Sequence, residues 1–408
     1  MKAGWQVKTL GEVCEFQRGL TYSKGDEVES SNNIVLRANN IDVDSNLLNL
    51  DDLKFISDKV TIPEGKIARK GSLLICTASG SKSHLGKVAF IDDDYGYAFG
   101  GFMGMLTPCD ELSPKYLFHL MTSYQYKDFI ASLADGVNIN NLKFDDLRLF
   151  PVPFPSISEQ QRIVTILDQA FEGIATATAN AEKNLANARE LFESEMRSVF
   201  ASRGEGWEAK SLADLCQISS VLVDPRDNQY LDMLHVGGAN IESKSGQLLD
   251  LKTARDEGLI SGKFVFDKAM VLYSKIRPYL MKVARPDFQG LCSADIYPLS
   301  VKAGQLDRDF LFYLLLSPEF TEYANAGSAR AGMPKVNRDH LFAFRCHVPS
   351  LAKQKEYAFR LDELSTETKK LEAIYQQKLV ALEELKKSIL NQAFTGKLAA
   401  DSIMRVAA

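Results

Sequence analysis

Two stretches of this chain open with the same pattern, Trp5-Gln-Val-Lys-Thr-Leu-Gly-Glu-Val-Cys14 and Trp207-Glu-Ala-Lys-Ser-Leu-Ala-Asp-Leu-Cys216. They hold the only two tryptophans of the 408 residues. A second pair follows in the same order, Leu142-Lys-Phe-Asp-Asp-Leu147 and Val336-Asn-Arg-Asp-His-Leu341. A large unit that occurs twice indicates a duplication with two similar sites, because solenoids repeat a short unit many times.

Each copy ends at a proline-marked exit and continues as a long helical pattern. The exits are Pro151-Val-Pro-Phe-Pro155 and His347-Val-Pro349. Apolar residues then recur three and four positions apart over about 40 residues without proline, as in a coiled coil. At 1.5 Å per residue, each helix would be roughly 60 Å long. The residues predicted to join the two helices are Ile163, Leu167, Ala170, Ile174, Ala177, Ala181, Leu361, Leu364, Leu371, Tyr375, Leu382 and Ile389.

The charges of these two helices favour an antiparallel pair. Residues 159–200 carry 7 acids and 4 bases, whereas residues 350–400 carry 9 bases and 7 acids. The alternative is that each helix packs separately on its own domain. We predict an α+β fold with an internal pseudo-twofold repeat, in which two mixed α/β domains (1–155 and 205–349) are separated by helical segments (156–204 and 350–408) that form an antiparallel coiled coil.

The composition is ordinary for a globular protein, with 45% hydrophobic and 25% charged residues. The start lacks a basic-then-apolar leader and no apolar run is long enough to span a membrane, so we expect a cytoplasmic location. The six cysteines, Cys14, Cys76, Cys109, Cys216, Cys292 and Cys346, include no CxxC pair. This spacing predicts buried reduced thiols, not a disulfide framework or a zinc site.

The net charge of −5 argues against a nucleic-acid partner, but the basic residues are unevenly distributed. Residues 65–91 hold five bases and no acid, and residues 263–285 hold six bases and one acid. The segments match in position, because Gly86-Lys-Val-Ala89 aligns with Met281-Lys-Val-Ala284. Two equivalent basic segments, each with a loop between two strands, indicate two surfaces for an anionic ligand. The alternative is strands and loops with solvated lysines.

Local motifs for catalysis or cofactor binding are missing. Gly100-Gly-Phe-Met-Gly104 is rich in glycine but lacks the lysine and the strand-to-helix setting of a phosphate loop. No HExxH pattern, S-adenosylmethionine loop or Asn/Asp-Pro-Pro-aromatic motif occurs, and Cys292 and His340 could form a site only by meeting in three dimensions. The pattern favours a recognition protein with no catalytic residues and no metal site.

Three stretches form a recognisable set: Trp5 to Val13 with Gln17-Arg-Gly19, Leu149-Phe-Pro-Val-Pro-Phe-Pro-Ser-Ile-Ser-Glu-Gln-Gln-Arg-Ile163, and Leu385-Lys-Lys-Ser-Ile-Leu-Asn-Gln-Ala-Phe-Thr-Gly-Lys-Leu398. Together they resemble the conserved regions of type I restriction–modification specificity (S) subunits. The resemblance covers essentially the whole chain. It departs at Lys353-Gln-Lys355, where the first copy has Glu159-Gln-Gln161, so that only the glutamine is common.

The resemblance implies that each globular domain is a target recognition domain for one half of a split, asymmetric sequence in double-stranded DNA, with the helices as a ruler. It also implies partners: methyltransferase (M) subunits that modify adenine N6, and ATP-driven motor–nuclease restriction (R) subunits. Those partners would bind S-adenosylmethionine, ATP and Mg²⁺, and this chain would bind no cofactor.

Contacts with DNA need Arg, Lys, Asn, Gln or Ser side chains that reach phosphates or base edges. In the first copy the candidates are Ser79, Ser81, Lys82, Ser83, His84 and Lys87, and then Asn138, Asn140 and Lys143. In the second copy they are Lys275, Arg277, Tyr279 and Lys282, and then Arg330, Lys335 and Arg338. Alternative roles are a structural ion pair for Arg277 and helix capping for Asn140.

Other functions stay open from sequence. The chain could be a non-catalytic scaffold whose coiled coil joins two protein-binding domains, or an enzyme with a site assembled in three dimensions. Within the resembled family, it could also serve a methylation-only complex or a related phage-defence assembly.

Overall fold

The computed structural model describes residues 4–42, 45–80, 84–134, 141–201, 204, 206–328 and 334–398. The strands of the first copy are β1 (Gln6–Thr9), β2 (Cys14–Arg18), β3 (Glu27–Val28), β4 (Asn33–Leu36), β5 (Lys54–Ile56), β6 (Leu73–Cys76), β7 (Val88–Phe90), β8 (Ala98–Phe99), β9 (Met103–Pro108) and β10 (Pro151–Phe154). Its helices are α1 (Leu10–Val13), α2 (Pro114–Thr122), α3 (Tyr124–Ala134), α4 (Phe144–Leu147) and α5 (Ile157–Ala201).

The second copy repeats this order. Its strands are β11 (Glu208–Ser211), β12 (Cys216–Ile218), β13 (Leu222–Val223), β14 (Leu234–Val236), β15 (Lys252–Thr253), β16 (Lys263–Phe266), β17 (Met270–Ser274), β18 (Val283–Ala284), β19 (Gly290–Cys292), β20 (Ile296–Val301) and β21 (Arg345–Val348). Its helices are α6 (Leu212–Leu215), α7 (Arg308–Leu316), α8 (Pro318–Ala326), α9 (Arg338–Ala343) and α10 (Leu351–Thr395).

Matching sheets confirm the predicted repeat. The order β2-β9-β6-β7 in the first copy corresponds to β12-β20-β17-β18 in the second, and β1-β10 corresponds to β11-β21. The remaining sheets differ, with orders β3-β5-β4-β8 and β13-β16-β19-β14-β15. In both of them a parallel pair (β4 with β8, β14 with β19) lies beside an antiparallel one. The copies therefore share two sheets and diverge in the third.

Both long helices complete both hydrophobic cores. The chain divides into two compact units, Met1–Glu182 with Gln377–Ala408, and Lys183–Gln376. In the first unit, buried residues from the start of α5 and the end of α10 join the core of the first domain. In the second unit, the end of α5 and the start of α10 do the same. The helical segments therefore run antiparallel within each unit, as predicted.

The glutamine common to both helix starts is buried in each copy. Gln160 accepts a hydrogen bond from the Ser113 N–H and donates to the carbonyls of Glu111 and Pro155, at 2.8 to 3.0 Å. Gln354 accepts from the Asp307 N–H at 2.7 Å and donates to two carbonyls in the same way. Each amide thus fastens the start of a long helix to the loop before α2 or α7.

Two further expectations concern cysteines and membranes. All six cysteines are free, and five are buried as predicted, but Cys109 is exposed because it follows the end of β9. Among the described residues, none of the helices combines the length and apolar character that a membrane span requires.

Replacing Gln160 with Leu should lower the free energy of unfolding of the full chain by about 2–4 kcal/mol, because one buried N–H and two carbonyls lose their partner. Gln354→Leu should have a similar effect in the second unit. Urea unfolding followed by circular dichroism measures both. Gln161→Leu, at an exposed neighbouring position, is the control and should change stability by less than about 0.5 kcal/mol. Equal midpoints for the three variants and the parent chain would contradict the structural role of the buried amides.

Candidate nucleic-acid interface

In the first copy, the loop after β6 is joined to the segment before α4. The Thr77 carbonyl accepts a hydrogen bond from the Leu142 N–H at 2.6 Å, and Ala78 forms an isolated bridge with Asn141. In the sequence, the loop and the segment are two separate sets of candidates. The structure brings them together at one end of β6.

The second copy builds the same junction from different residues. The Val336 N–H donates to the Lys275 carbonyl at 2.8 Å, and the Arg277 N–H donates to the Pro334 carbonyl at 2.9 Å. Between them, Ile276 forms a bridge with Lys335. Each domain therefore has one interface edge, defined here as the loop after β6 or β17 together with the segment before α4 or α9.

Four predicted residues are exposed at the second interface edge: Arg277, Tyr279, Lys335 and Arg338. Arg277 has φ of 51°, a left-handed backbone that side-chain-bearing residues rarely adopt. Its guanidinium has no hydrogen-bond or ion-pair partner among the described residues, so the alternative of a structural ion pair finds no support there. Lys335 lies 3.9 Å from Asp295 and keeps about half of its side chain in solvent.

Lys275, in contrast, is held inside the junction. Its side chain is 12% exposed, donates to the Ala294 carbonyl and lies 3.5 Å from the Asp295 carboxylate. Burial lowers the pKa of its ammonium, and the nearby charge of Lys335 lowers it further. A phosphate contact would require Lys275 to leave these partners.

Lys87 and Lys282 occupy equivalent positions and have equivalent ties. The Lys87 ammonium donates to the Ile41 carbonyl at 2.9 Å, and the Lys282 ammonium donates to the Gly238 carbonyl. Burial lowers the pKa of Lys87. Both lysines fasten their loops to a neighbouring turn, and their proposed contact with DNA stays a prediction.

The first interface edge has exposed Lys143, at the position just before α4, and half-buried Ser79 and His84. The other first-copy candidates, Ser81, Lys82, Ser83, Asn138 and Asn140, lie outside the described residues, as does Arg330 of the second copy.

Several other bases of the two basic segments also have local partners. Lys66 donates to the Arg18 carbonyl, Lys70 lies 3.5 Å from Asp93, and Lys263 donates to the Ser261 carbonyl. Arg285 is paired with Asp309 and with Asp362 of α10. The charge available to an anionic ligand is therefore smaller than the sequence count suggested, because much of it is used within the domains.

The turn Gly100–Met103, which is hydrogen-bonded to the first interface edge, was not predicted from sequence. The Phe102 carbonyl accepts hydrogen bonds from the N–H groups of Thr77 and Ala78 and from the Thr77 hydroxyl. The Phe102 side chain is 74% exposed. The available signal was an aromatic residue within a glycine-rich stretch that fitted no phosphate loop.

The residues predicted to join the helices differ in burial. Ile163, Leu167, Ala170 and Ile389 share the core of the first unit, with Ile174 packed against it, and Leu361 lies in the core of the second. Ala181 is buried, whereas Ala177, Leu364, Tyr375 and Leu382 are half-buried. Leu371 is exposed, and Thr368, one turn earlier on α10, is buried.

Two ion pairs join the helices: Arg189 pairs with Glu372 at 3.1 Å, and Arg360 pairs with Glu195 at 3.0 Å.

The candidates for chemistry are not brought together. Cys292 is buried in a small cluster with β14 and β17 residues, whereas His340 stacks on the Tyr323 ring at 4.1 Å. In the part of the chain that the structure describes, no cluster of three or more His, Cys, Asp or Glu side chains could hold a metal ion.

Comparison with known proteins follows the same division into two copies. Residues 2–186 and 204–380 match the model of the type I restriction modification DNA specificity domain. The specificity subunit of the type I restriction enzyme EcoDI from Escherichia coli is 31% identical, over 71% of each chain. That of StySPI from Salmonella potsdam is 26% identical, over 97% of this chain and 90% of its own.

Two solved structures share the fold at 18% sequence identity. One is a chain from work on complex assembly and conformational transition of the type I restriction–modification system, with a TM-score of 0.76 over 98% of this chain and 99% of its own. The other is the HsdS subunit from Thermoanaerobacter tengcongensis, with a TM-score of 0.61 and 98% of both chains covered. Since the family model matches both copies and a relative above 30% identity covers more than two thirds of the chain, this protein belongs to the family of type I restriction–modification specificity subunits.

Proposed function

We propose that this chain is the non-catalytic DNA-recognition subunit of its complex, and that each domain reads one half of a split target. The observation that carries the proposal is the interface edge, which both copies build with the same backbone junction and different exposed side chains. A shared scaffold positions the reading surfaces alike, while the different residues give each half-site its own sequence. Arg277 and Arg338 are suited to phosphates or to guanine edges.

The helices are proposed to set the spacing between the half-sites. α5 and α10 each contribute buried residues to both hydrophobic cores, so neither domain is complete without them. A continuous helix of fixed rise per residue changes length only by insertion or deletion. The number of residues in the helices would thereby specify the number of base pairs in the spacer.

The proposed partners are double-stranded DNA, methyltransferase subunits and restriction subunits, and the expected location is the cytoplasm. S-adenosylmethionine, ATP and Mg²⁺ would be bound by those partner subunits. This assignment is supported by family membership and by the assembly described for the structural neighbour. Mapping N6-methyladenine in DNA from cells that express this chain with its methyltransferase would define the target.

Removing the exposed charges of the second interface edge should weaken DNA binding. We expect Arg277→Ala with Arg338→Ala to reduce the affinity of the complex for its mapped target about 10- to 100-fold at 0.15 M salt. The slope of log affinity against log salt should fall by up to about 2, since two fewer counterions are released. Fluorescence anisotropy over a salt series measures both quantities.

Lys268→Ala is the control for loss of an exposed positive charge elsewhere in the second domain, because this lysine precedes the opposite end of β17. It should leave affinity for the mapped duplex close to that of the parent complex. A double variant that melts normally and keeps both the affinity and the salt slope would exclude this edge from DNA binding.

Lengthening both helices should lengthen the spacer alone. Seven residues inserted after Glu182 and seven after Gln376, where the compact units divide, add about 10 Å of helix, equivalent to about three base pairs. We expect the mapped methylation site to keep both half-sites and to gain about three spacer base pairs. An unchanged spacer in an assembled, active complex would disprove the ruler.

A further inference from the structure

The exposed ring of Phe102 is presented by a turn whose backbone is fixed from two sides. On one side, the Phe102 carbonyl accepts from the Thr77 and Ala78 N–H groups at 2.9 and 3.1 Å and from the Thr77 hydroxyl at 2.9 Å. The following residue, Met103, is buried at the start of β9. The hydrogen-bonded backbone of this turn therefore keeps the ring exposed to solvent.

On the other side, Gly19 lies directly against the turn. A Cβ at Gly19 would come within 1.9 Å of the Gly100 carbonyl oxygen, so this close approach requires glycine. The Gly19 N–H donates to the Met103 carbonyl at 3.0 Å, and the Met103 N–H donates to the Gly100 carbonyl at 2.8 Å. These contacts close the turn and fix the direction in which residue 102 leaves the backbone.

The turn that carries this ring is hydrogen-bonded to the first interface edge. Thr77 and Ala78, which bind the Phe102 carbonyl, also form the junction with Leu142 and Asn141. The ring, 74% exposed, is therefore fixed next to the backbone junction of this edge, where it is free to contact an apolar group of a ligand bound there.

The second copy has a different side chain at the equivalent position. The Lys275 N–H donates to the Asp295 carbonyl at 3.0 Å, as Thr77 does to Phe102, and the Ile296 N–H donates to the Ser293 carbonyl, as Met103 does to Gly100. The Asp295 carboxylate lies 3.5 Å from the Lys275 ammonium and 3.9 Å from that of Lys335. One backbone position thus carries an apolar ring in one domain and a charged cluster in the other.

We infer that Phe102 is a specificity-determining residue for the first half-site, where its ring contacts the C5-methyl group of a thymine. The inference rests on the proposed DNA recognition. In the major groove this methyl is the apolar group that distinguishes thymine, and apolar side chains are its complement. At the equivalent position the second copy has the Asp295 carboxylate, so we expect no such contact from that position at the second half-site.

The test uses the complex of this chain with its methyltransferase and duplexes that carry the mapped target. Each thymine of the first half-site, on either strand, is replaced in turn by uracil, which removes only the methyl group. A half-site methylated on adenine contains at least one such thymine. One replacement should weaken binding by the parent complex about fourfold, because this is the change in affinity expected when the burial of one methyl-sized group is lost.

Phe102→Ala should remove that discrimination, so that thymine and uracil duplexes bind equally, at about the affinity of the parent complex for the uracil duplex. Phe102→Leu, which keeps an apolar contact, should retain part of it. Leu149→Ala removes another exposed apolar side chain of the first domain and should discriminate like the parent. Uracil in the second half-site should give the same ratio for the parent and for Phe102→Ala.

Three results would overturn the assignment: no uracil replacement affects the parent complex, Phe102→Ala discriminates as the parent does, or Phe102→Ala weakens all duplexes equally. The last result would assign the ring to contact with a partner subunit or to folding. In each case, sequence-specific binding by the parent complex would leave the proposed function standing. A parent complex that prefers no duplex would instead reject DNA recognition itself, and the inference with it.

Discussion

The burial of both helix ends in both hydrophobic cores is the constraint on which the rest of this structure depends. In the first unit, Leu167 of α5 and Phe394 of α10 are almost fully buried with residues of the sheet and of α2. In the second, Val199 and Leu361 have the same role. Each core is thus assembled from segments that lie far apart in sequence, and a domain cannot close its apolar interior without both helices.

Much of this fold follows from sequence patterns because the patterns are local. The spacing of apolar residues defines α5 and α10, and the two tryptophan-led stretches reveal the duplication. Strands β6 and β17 are apolar runs that each end at a loop, so they too can be predicted. The third sheet of each copy, in which the copies differ, could not be derived, because its strands are as short as two residues and their pairing depends on contacts distant in sequence.

The candidate interface was only partly predictable, for the same physical reason. Counting charges singled out the loops after β6 and β17 but could not tell which of their lysines already have partners within the domain. Lys87 and Lys282 donate to carbonyls of turns more than 40 positions earlier in the chain, and a sequence contains no record of such partners. Conversely, the glycine-rich stretch around Phe102 does not reveal that its ring is exposed, because the exposure follows from the turn that Gly19 closes.

The buried glutamines make the joint between each long helix and its domain less sensitive to salt than the proposed DNA-binding surface. Gln160 and Gln354 fasten their helices through neutral amides, whose hydrogen bonds are shielded from solvent and are scarcely affected by mobile ions. Contacts between guanidinium groups and phosphates weaken steeply as salt rises. Higher ionic strength should therefore weaken the proposed contacts with nucleic acid while each buried amide keeps the start of its helix fastened to its own domain.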